Sequence, residues 1–393
     1  MFHVVFMQPT PCVRALKYAE GLREYLGEKL RFTLIYARTP PSKLYGHGEE
    51  YFDEVIKVPE NRVHSELKRV LRSLNADIIH SHNAPDFLTI AAIEADIKTP
   101  IIHDVHELLT LHKTGYHTFD NEKLIKRYAF EEKVAIECSD ARIYVSDGVR
   151  DYVHQKYDVD KEYELVFYNY ISQKVLPQRF KPMLSTREIH IVYVGTITSK
   201  VYGSHYDLRE IFLEIARNRM HIHIYPVRDD EAYIKLSKEN PYIHYHKRLP
   251  RTVLLKEISK YHFGWAAFYD GLNKEHLKMA FPNKIIDYVG AGLPVVTFSQ
   301  HETIARFLEK YKLGIILSDI SELYKLKEAV KNGMITRIRR RAKKLRYEFT
   351  VERKIPSLLE FYARVMEKVK LYEPVIDLRR IPIKEGYKAW YLR

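Results

Sequence analysis

Short apolar runs rich in β-branched and aromatic residues alternate along this chain with amphipathic helical segments. That alternation restricts the fold to parallel sheets covered by helices, an α/β architecture. Phe2–Phe6 opens the series, and the helix expected near Val13–Leu26 places Val13, Leu16, Ala19, Leu22 and Leu26 on one face. Further strands are predicted at Phe32–Tyr36, Ile78–His80, Pro100–His103 and Arg142–Val145, which makes residues 1–172 one doubly wound domain. The run from Ile171 to Pro182 has neither helical nor strand period and carries two prolines, so residues 173–188 read as a linker. A second sheet then occupies 189–354, with strands predicted at Ile189–Val194, His221–Tyr225, Tyr242–Tyr245, Gly264–Phe268, Val295–Phe298 and Gly314–Leu317. A helix near Ile355–Val369 opens the closing segment, 355–393.

A chain of 393 residues can bury two separate cores. Lys and Arg exceed Asp and Glu by 64 − 51 = +13, which favours anionic partners without choosing among nucleotides, nucleic acid and acidic membrane. Cys12 and Cys138 allow at most one disulfide, and neither a leader-like segment nor a long apolar run is visible. The expectation is a reduced, soluble, cytoplasmic protein. The basic run Arg337–Arg346 is interrupted by Ile338, Ala342 and Leu345 at helical spacing, so it reads as a solvated helix face; nucleic-acid binding is not expected.

In open α/β sheets ligands bind beyond the carboxyl ends of the strands, so the polar residues following each apolar run carry the functional signal. Two such places are Ala76-Asp-Ile-Ile-His-Ser-His-Asn83 and Pro100-Ile-Ile-His-Asp-Val-His-Glu107. Imidazoles and carboxylates at alternate strand positions converge on one face, which makes His80, His82, His103, Asp104, His106 and Glu107 candidate metal ligands of a hydrolase. The pairs His221/His223 and His244/His246 fall inside predicted strands, where alternation alone accounts for them. A third place is Ile191-Val-Tyr-Val-Gly-Thr-Ile-Thr-Ser-Lys200, a strand running into a small-residue loop whose amides can approach a phosphate.

The stretch Phe281-Pro-Asn-Lys-Ile-Ile-Asp-Tyr-Val-Gly-Ala-Gly-Leu-Pro-Val-Val296 is the most specific. Pro282-Asn283 caps a predicted helix, Asp287 lies about a turn in, Gly290 and Gly292 permit a tight exit, and an apolar strand follows. Amides at such a helix start suit a diphosphate, and an acid nearby suits ribose hydroxyls. An ordinary α/β unit has the same outline, so the spacing alone leaves both readings open.

This stretch resembles the Pro-x-Lys-x-x-Glu-Tyr-x-x-x-Gly-x-Pro-Val signature of GT-B glycosyltransferases, specifically the large retaining family 4. The resemblance runs in order from about Phe2 to Leu317. It implies two Rossmann-like doubly wound domains facing across a cleft that closes on a nucleotide-sugar donor, with transfer to a glycan, polysaccharide or lipid-linked acceptor and retention of configuration. It places Gly195, Thr196, Lys200, Asn283, Lys284 and Asp287 at the donor, Asp287 standing where the family has a ribose-binding Glu. It places His106 and Glu107 at the transferred sugar, and Asn83 and Asp104 toward the acceptor. Met279 occupies the position of a second Glu, and Thr196 that of a frequent Arg. No essential metal or other cofactor is implied, and peripheral contact with an acidic membrane suits lipid-linked acceptors.

Overall fold

The structure, a computed structural model, describes residues 1–113, 122–201, 203–269 and 271–371. These residues form two units. One comprises residues 1–110, 122–168 and 354–371; the other comprises 111–113 and the described part of 169–353. The run 173–188, expected as a linker, belongs to the second unit.

The first unit is built on a seven-stranded sheet: β1 Phe2–Met7, β2 Leu30–Tyr36, β3 Glu54–Lys57, β4 Ile78–His82, β5 Ile101–Val105, β6 Ala141–Tyr144 and β7 Glu164–Val166. Its order is β3-β2-β1-β4-β5-β6-β7, with every pairing parallel. The chain winds one way from β1 to β3 and the other way from β4 onward, so the switch point lies between β1 and β4. Edge strands β3 and β7 escape the sequence reading because they are three or four residues long and only half-buried. One face of the sheet packs Val5, Met7 and Ile79 against Leu67, Leu71 and Leu88 of the covering helices. Each such side chain contributes roughly 1.5–3 kcal/mol on burial.

The helix Val13–Leu26 has the expected bounds, but its buried surface is wider than the expected face. Arg14, Lys17 and Tyr18 are buried with Leu16, Ala19 and Leu22. The last described helix, Val351–Leu371, sends the Tyr362 hydroxyl to His80 Nδ1 at 2.6 Å within the first unit. The remainder of the expected closing segment, 372–393, lies outside the described residues.

The second unit carries a six-stranded parallel sheet: β8 Ile189–Gly195, β9 Met220–Pro226, β10 Ile243–Tyr245, β11 Phe263–Trp265, β12 Val295–Phe298 and β13 Gly314–Leu317. The order β10-β9-β8-β11-β12-β13 puts its switch point between β8 and β11. There the helix Lys284–Gly290 is keyed into the sheet by Tyr288. Its hydroxyl accepts from the Val194 amide at 3.0 Å and donates to the Trp265 carbonyl at 3.0 Å, bridging the two strands. The ring leaves no room opposite: a Cβ on Gly264 would come within 2.3 Å of it.

Candidate active site

In the first unit, alternation along β4 and β5 sorts the polar residues onto two faces. His80, His82 and Asp104 share one face; Ser81 and His103 take the other. Asp104 is completely buried and is the hub of its face. Arg14 Nε donates to its two oxygens at 3.0 and 3.2 Å. His80 Nε2 and His106 Nδ1 each lie 3.3 Å from it, and His82 Nδ1 lies at 3.8 Å. Burial pushes the Asp104 carboxyl up, but Arg14 and the imidazole hydrogen bonds outweigh it and hold the group well below the usual carboxylate range. On the other face His103 sits between Thr89 Oγ1 at 3.2 Å and Asp86 Oδ1 at 3.3 Å, and burial lowers its pKa to about 3.

Three loops at the carboxyl end are tied together by two buried amides. Asn83 Oδ1 accepts from the amides of His106 at 3.1 Å and Glu107 at 3.2 Å, and its Nδ2 donates to the Glu107 carbonyl. Gln8 Nε2 donates to the Asn83 carbonyl at 2.7 Å, and Gln8 Oε1 accepts from the Cys12 amide at 2.8 Å. Asn83 and Asp104, expected on the acceptor side, are both buried and engaged within the unit, Asn83 fixing the turn at 106–107 and Asp104 fixing His106. His106 is left at the surface of the cluster with Nε2 at 3.8 Å from Cys12 Sγ. Burial opposes its protonation, yet the adjacent Cys12 and Asp104 raise its pKa to about 10.

His80, His82 and Asp104 do bring three ligand-capable atoms within 4.8 Å of one another. The Arg14 guanidinium already neutralises the carboxylate and His80 Nδ1 faces the Tyr362 hydroxyl, so two of the three groups are engaged within the unit, while His82 meets no hydrogen-bond partner among the described residues. The metal-dependent hydrolase reading receives no support.

In the second unit, the loop leaving β8 turns at Gly195, whose φ of +134° favours glycine. A Cβ there would also stand 3.2 Å from Lys284 Nζ. Thr196 is exposed and its carbonyl accepts from the Tyr193 hydroxyl at 2.6 Å. Ser199 anchors the loop on Asp230, leaving Lys200 exposed. Lys284 comes up from below, only 7% exposed, with Nζ 3.8 Å from the Tyr193 ring centroid and 4.7 Å from that of Phe268. Among the described residues the amine meets no hydrogen-bond acceptor. Burial drives its pKa well below that of an ordinary lysine, against the pull of Asp287.

Asn283 occupies the N-cap position but does not cap with its side chain, contrary to expectation. Its φ of −50° and ψ of −35° are already helical, whereas a capping side chain needs extended backbone to reach back to the first amides. With seven residues, the helix is also too short to rely on its dipole. Charge at this place comes from side chains. Asp287 is paired with Arg251, the first residue of the helix Arg251–Ile258. The sequence reading passed over Arg251, although the Leu-Pro-Arg run just before a helical pattern was its signal. Gly195 and Lys284 are thus brought together, Thr196 lies on the same turn, and Asp287 is turned to Arg251.

The family model for Glycosyltransferase Family 4 matches residues 16–172, and that for the Glucosyltransferase 3-like C-terminal domain matches residues 201–354. The chain belongs to the GT-B glycosyltransferases of family 4. Solved structures agree on the fold of this glycosyltransferase. Sucrose-phosphate synthase from Thermosynechococcus elongatus superposes with a TM-score of 0.67 at 12% identity, covering 94% of this chain and all of that one. A glycosyltransferase from Rickettsia africae gives 0.68 at 12% identity, over 93% and 98% of the two chains. HepE from Anabaena, solved in complex with UDP-glucose, gives 0.63 at 12% identity, over 95% and 100%. No curated protein matches the glycosyltransferase in sequence.

Proposed function

We propose that this glycosyltransferase binds the diphosphate of a nucleotide-sugar donor at Lys284 and Gly195, and transfers the sugar with retention to a glycan, polysaccharide or lipid-linked acceptor. The observation that carries the proposal is Lys284: a buried amine without an acceptor among the described residues, beside Gly195 at the carboxyl end of β8. Such a group costs free energy unless an anion completes it. A diphosphate oxygen over Gly195 supplies that partner, and the missing Cβ lets it approach. Lys200, exposed on the same loop, adds a second positive charge as the leaving phosphate gains negative charge. Asp287, steadied by Arg251, accepts from ribose hydroxyls. A nucleotide sugar in the related HepE structure supports this class of donor.

His106 and the neighbouring Glu107 are assigned to the transferred sugar. The Asp104 contact fixes the ring, and the long contact to Cys12 is the one a sugar hydroxyl replaces. With cations in place for the leaving group, the reaction needs no essential metal. A cytoplasmic location is part of the proposal. Among the described residues no helix is long and apolar enough to cross a membrane. Contact with acidic lipid is assigned to the exposed basic side of the helix Met334–Leu345.

Thermal shifts with uridine, guanosine, adenosine and cytidine diphosphates, and with cytidine monophosphate, in the presence of a chelator test the proposal. A ligand at about 100 times its Kd adds about 2.7 kcal/mol. One selective stabiliser is expected and names the donor base. Absence of a shift with every nucleotide in folded protein would sink the assignment of Lys284.

A further inference from the structure

Cys12, His106 and Asp104 form a linear constellation at the carboxyl end of the first sheet. The sulfur lies 3.8 Å from His106 Nε2, and the opposite ring nitrogen lies 3.3 Å from Asp104 Oδ1. Asp104 is fixed in turn by Arg14. This is the order nucleophile, base and orienting carboxylate that activates thiols. Geometry holds each member in place. The Cys12 amide is pinned by Gln8, its carbonyl accepts from Leu16 at 3.2 Å as the first turn of the 14-residue helix Val13–Leu26, and Asn83 fixes the turn that carries His106. The second cysteine supplies an internal contrast. Cys138 is half-buried like Cys12 but ends the helix Glu122–Cys138 beside Glu137, where burial and that carboxylate raise its pKa. For Cys12, burial works in the same direction, but His106 overcomes it and brings the thiol down to about 7. Arg14 and Tyr45 also lie within electrostatic reach of the sulfur.

We propose that Cys12 is a modification site, a thiol activated by His106 that reacts selectively with low-molecular-weight disulfides and alkylating electrophiles. With a disulfide RSSR, His106 Nε2 takes the thiol proton and the sulfur lone pair forms the new S–S bond to one sulfur of RSSR. The old S–S bond breaks, its electron pair leaves on RS⁻, and His106 returns the proton to that thiolate. The products are Cys12–S–SR and RSH, and excess reducing thiol reverses the step. The group added stands at His106 Nε2, the nitrogen assigned to the donor sugar. Inhibition of transfer therefore rests on the function proposed above, whereas the modification itself does not.

The test uses the full chain and compares its two cysteines in one sample. Limiting iodoacetamide is applied between about pH 6 and pH 9, and labelling at each position is read by peptide mass spectrometry. Cys12 is expected to label about tenfold faster than Cys138 at neutral pH, with a rate that levels off above about pH 7 while that of Cys138 keeps rising. In His106→Asn the Cys12 rate at neutral pH falls about tenfold and its profile moves to higher pH. Equal rates and parallel pH profiles for the two cysteines in the unaltered protein overturn the proposal, as does a Cys12 profile untouched by a folded His106→Asn. Oxidised glutathione then separates the two readings. Mixed disulfide at Cys12 with transfer lost and restored by dithiothreitol supports both, and mixed disulfide with transfer intact keeps the thiol site while removing His106 from the sugar.

Discussion

Lys284 is the residue at which stability and function are set against each other. Its amine is enclosed by the rings of Tyr193 and Phe268, and cation–π attraction offsets only part of the desolvation. The folded chain binds fewer protons at this group than the unfolded chain wherever the pH lies between the depressed pKa and the ordinary one near 10.4. Stability therefore rises with pH across that window. Lys284→Met removes the buried polar atom and keeps most of the volume. The variant is expected to melt a few degrees higher than the parent while losing the nucleoside diphosphate shift and about 100-fold in kcat/KM. Calorimetry and steady-state assays read both effects. A variant that melts lower but still binds diphosphate would assign Lys284 to the fold alone. Asp104→Asn behaves in the opposite way. It leaves the buried Arg14 without its counter-charge, so a loss of about 3 kcal/mol or more is expected in denaturant titration.

At the scale of the element, β8, β9 and β10 carry an imidazole network across one side of the second sheet. His190 Nδ1 meets His223 Nε2 at 2.9 Å, and His223 Nδ1 meets His246 Nε2 at 2.9 Å. Beside them His221 joins His244 at 2.8 Å and Glu188 at 2.7 Å. Burial, with the neighbouring imidazoles, lowers His190 and His246 to about 4 and His223 further. The charged groups facing the network are Glu188, Glu257, Lys260 and Arg339, with Tyr225, Tyr242 and Tyr261 alongside. Unfolded histidine titrates near 6.5, so between about pH 4 and 6.5 the unfolded chain holds more protons and stability falls as the pH drops. The melting temperature should fall by about 5 °C or more from pH 7.5 to pH 5, and His223→Gln should flatten that slope. A flat profile in the parent would show that the network titrates without linkage to folding. The strand positions of His221, His223 and His244 follow from alternation, which is why this face was legible in sequence. Arg14 was not, because helical periodicity sends a charged residue outward and only the partner Asp104, 90 positions away, explains its turn inward. The same limit hides Gln8, whose role is set by Asn83 and Cys12 rather than by its own neighbours.

For the whole molecule the consequential quantity is the excess of 64 − 51 = +13 positive charges and where it lies. The run Arg337–Arg346 is not uniformly a solvated face. Arg339 donates to the Tyr261 and Ser259 carbonyls at 2.6 Å each, and Arg346 donates to the Pro177 carbonyl at 2.7 Å, so both belong to the interior of the second unit. Ile335, Ile338 and Ala342 turn inward with them, which leaves Arg337, Arg340, Arg341 and Lys344 exposed, while Lys343, also exposed, lies over the Phe180 ring. Each of four such cations near an anionic surface is worth about 1 kcal/mol at moderate salt, enough together for reversible docking and too little for permanent anchoring. The attraction decays within a Debye length of about 10 Å at 0.1 M salt. Co-sedimentation with phosphatidylglycerol-containing vesicles should therefore be strong at low salt, weak at about 0.5 M, and absent with purely zwitterionic vesicles. Reversing Arg337, Arg340 and Arg341 to Glu should abolish it without lowering the melting temperature, since none of the three is buried. Binding that persists in that triple variant would move the membrane contact to another surface. Salt-sensitive binding of random DNA with no preference for vesicles would instead mark the basic helix as a general polyanion surface.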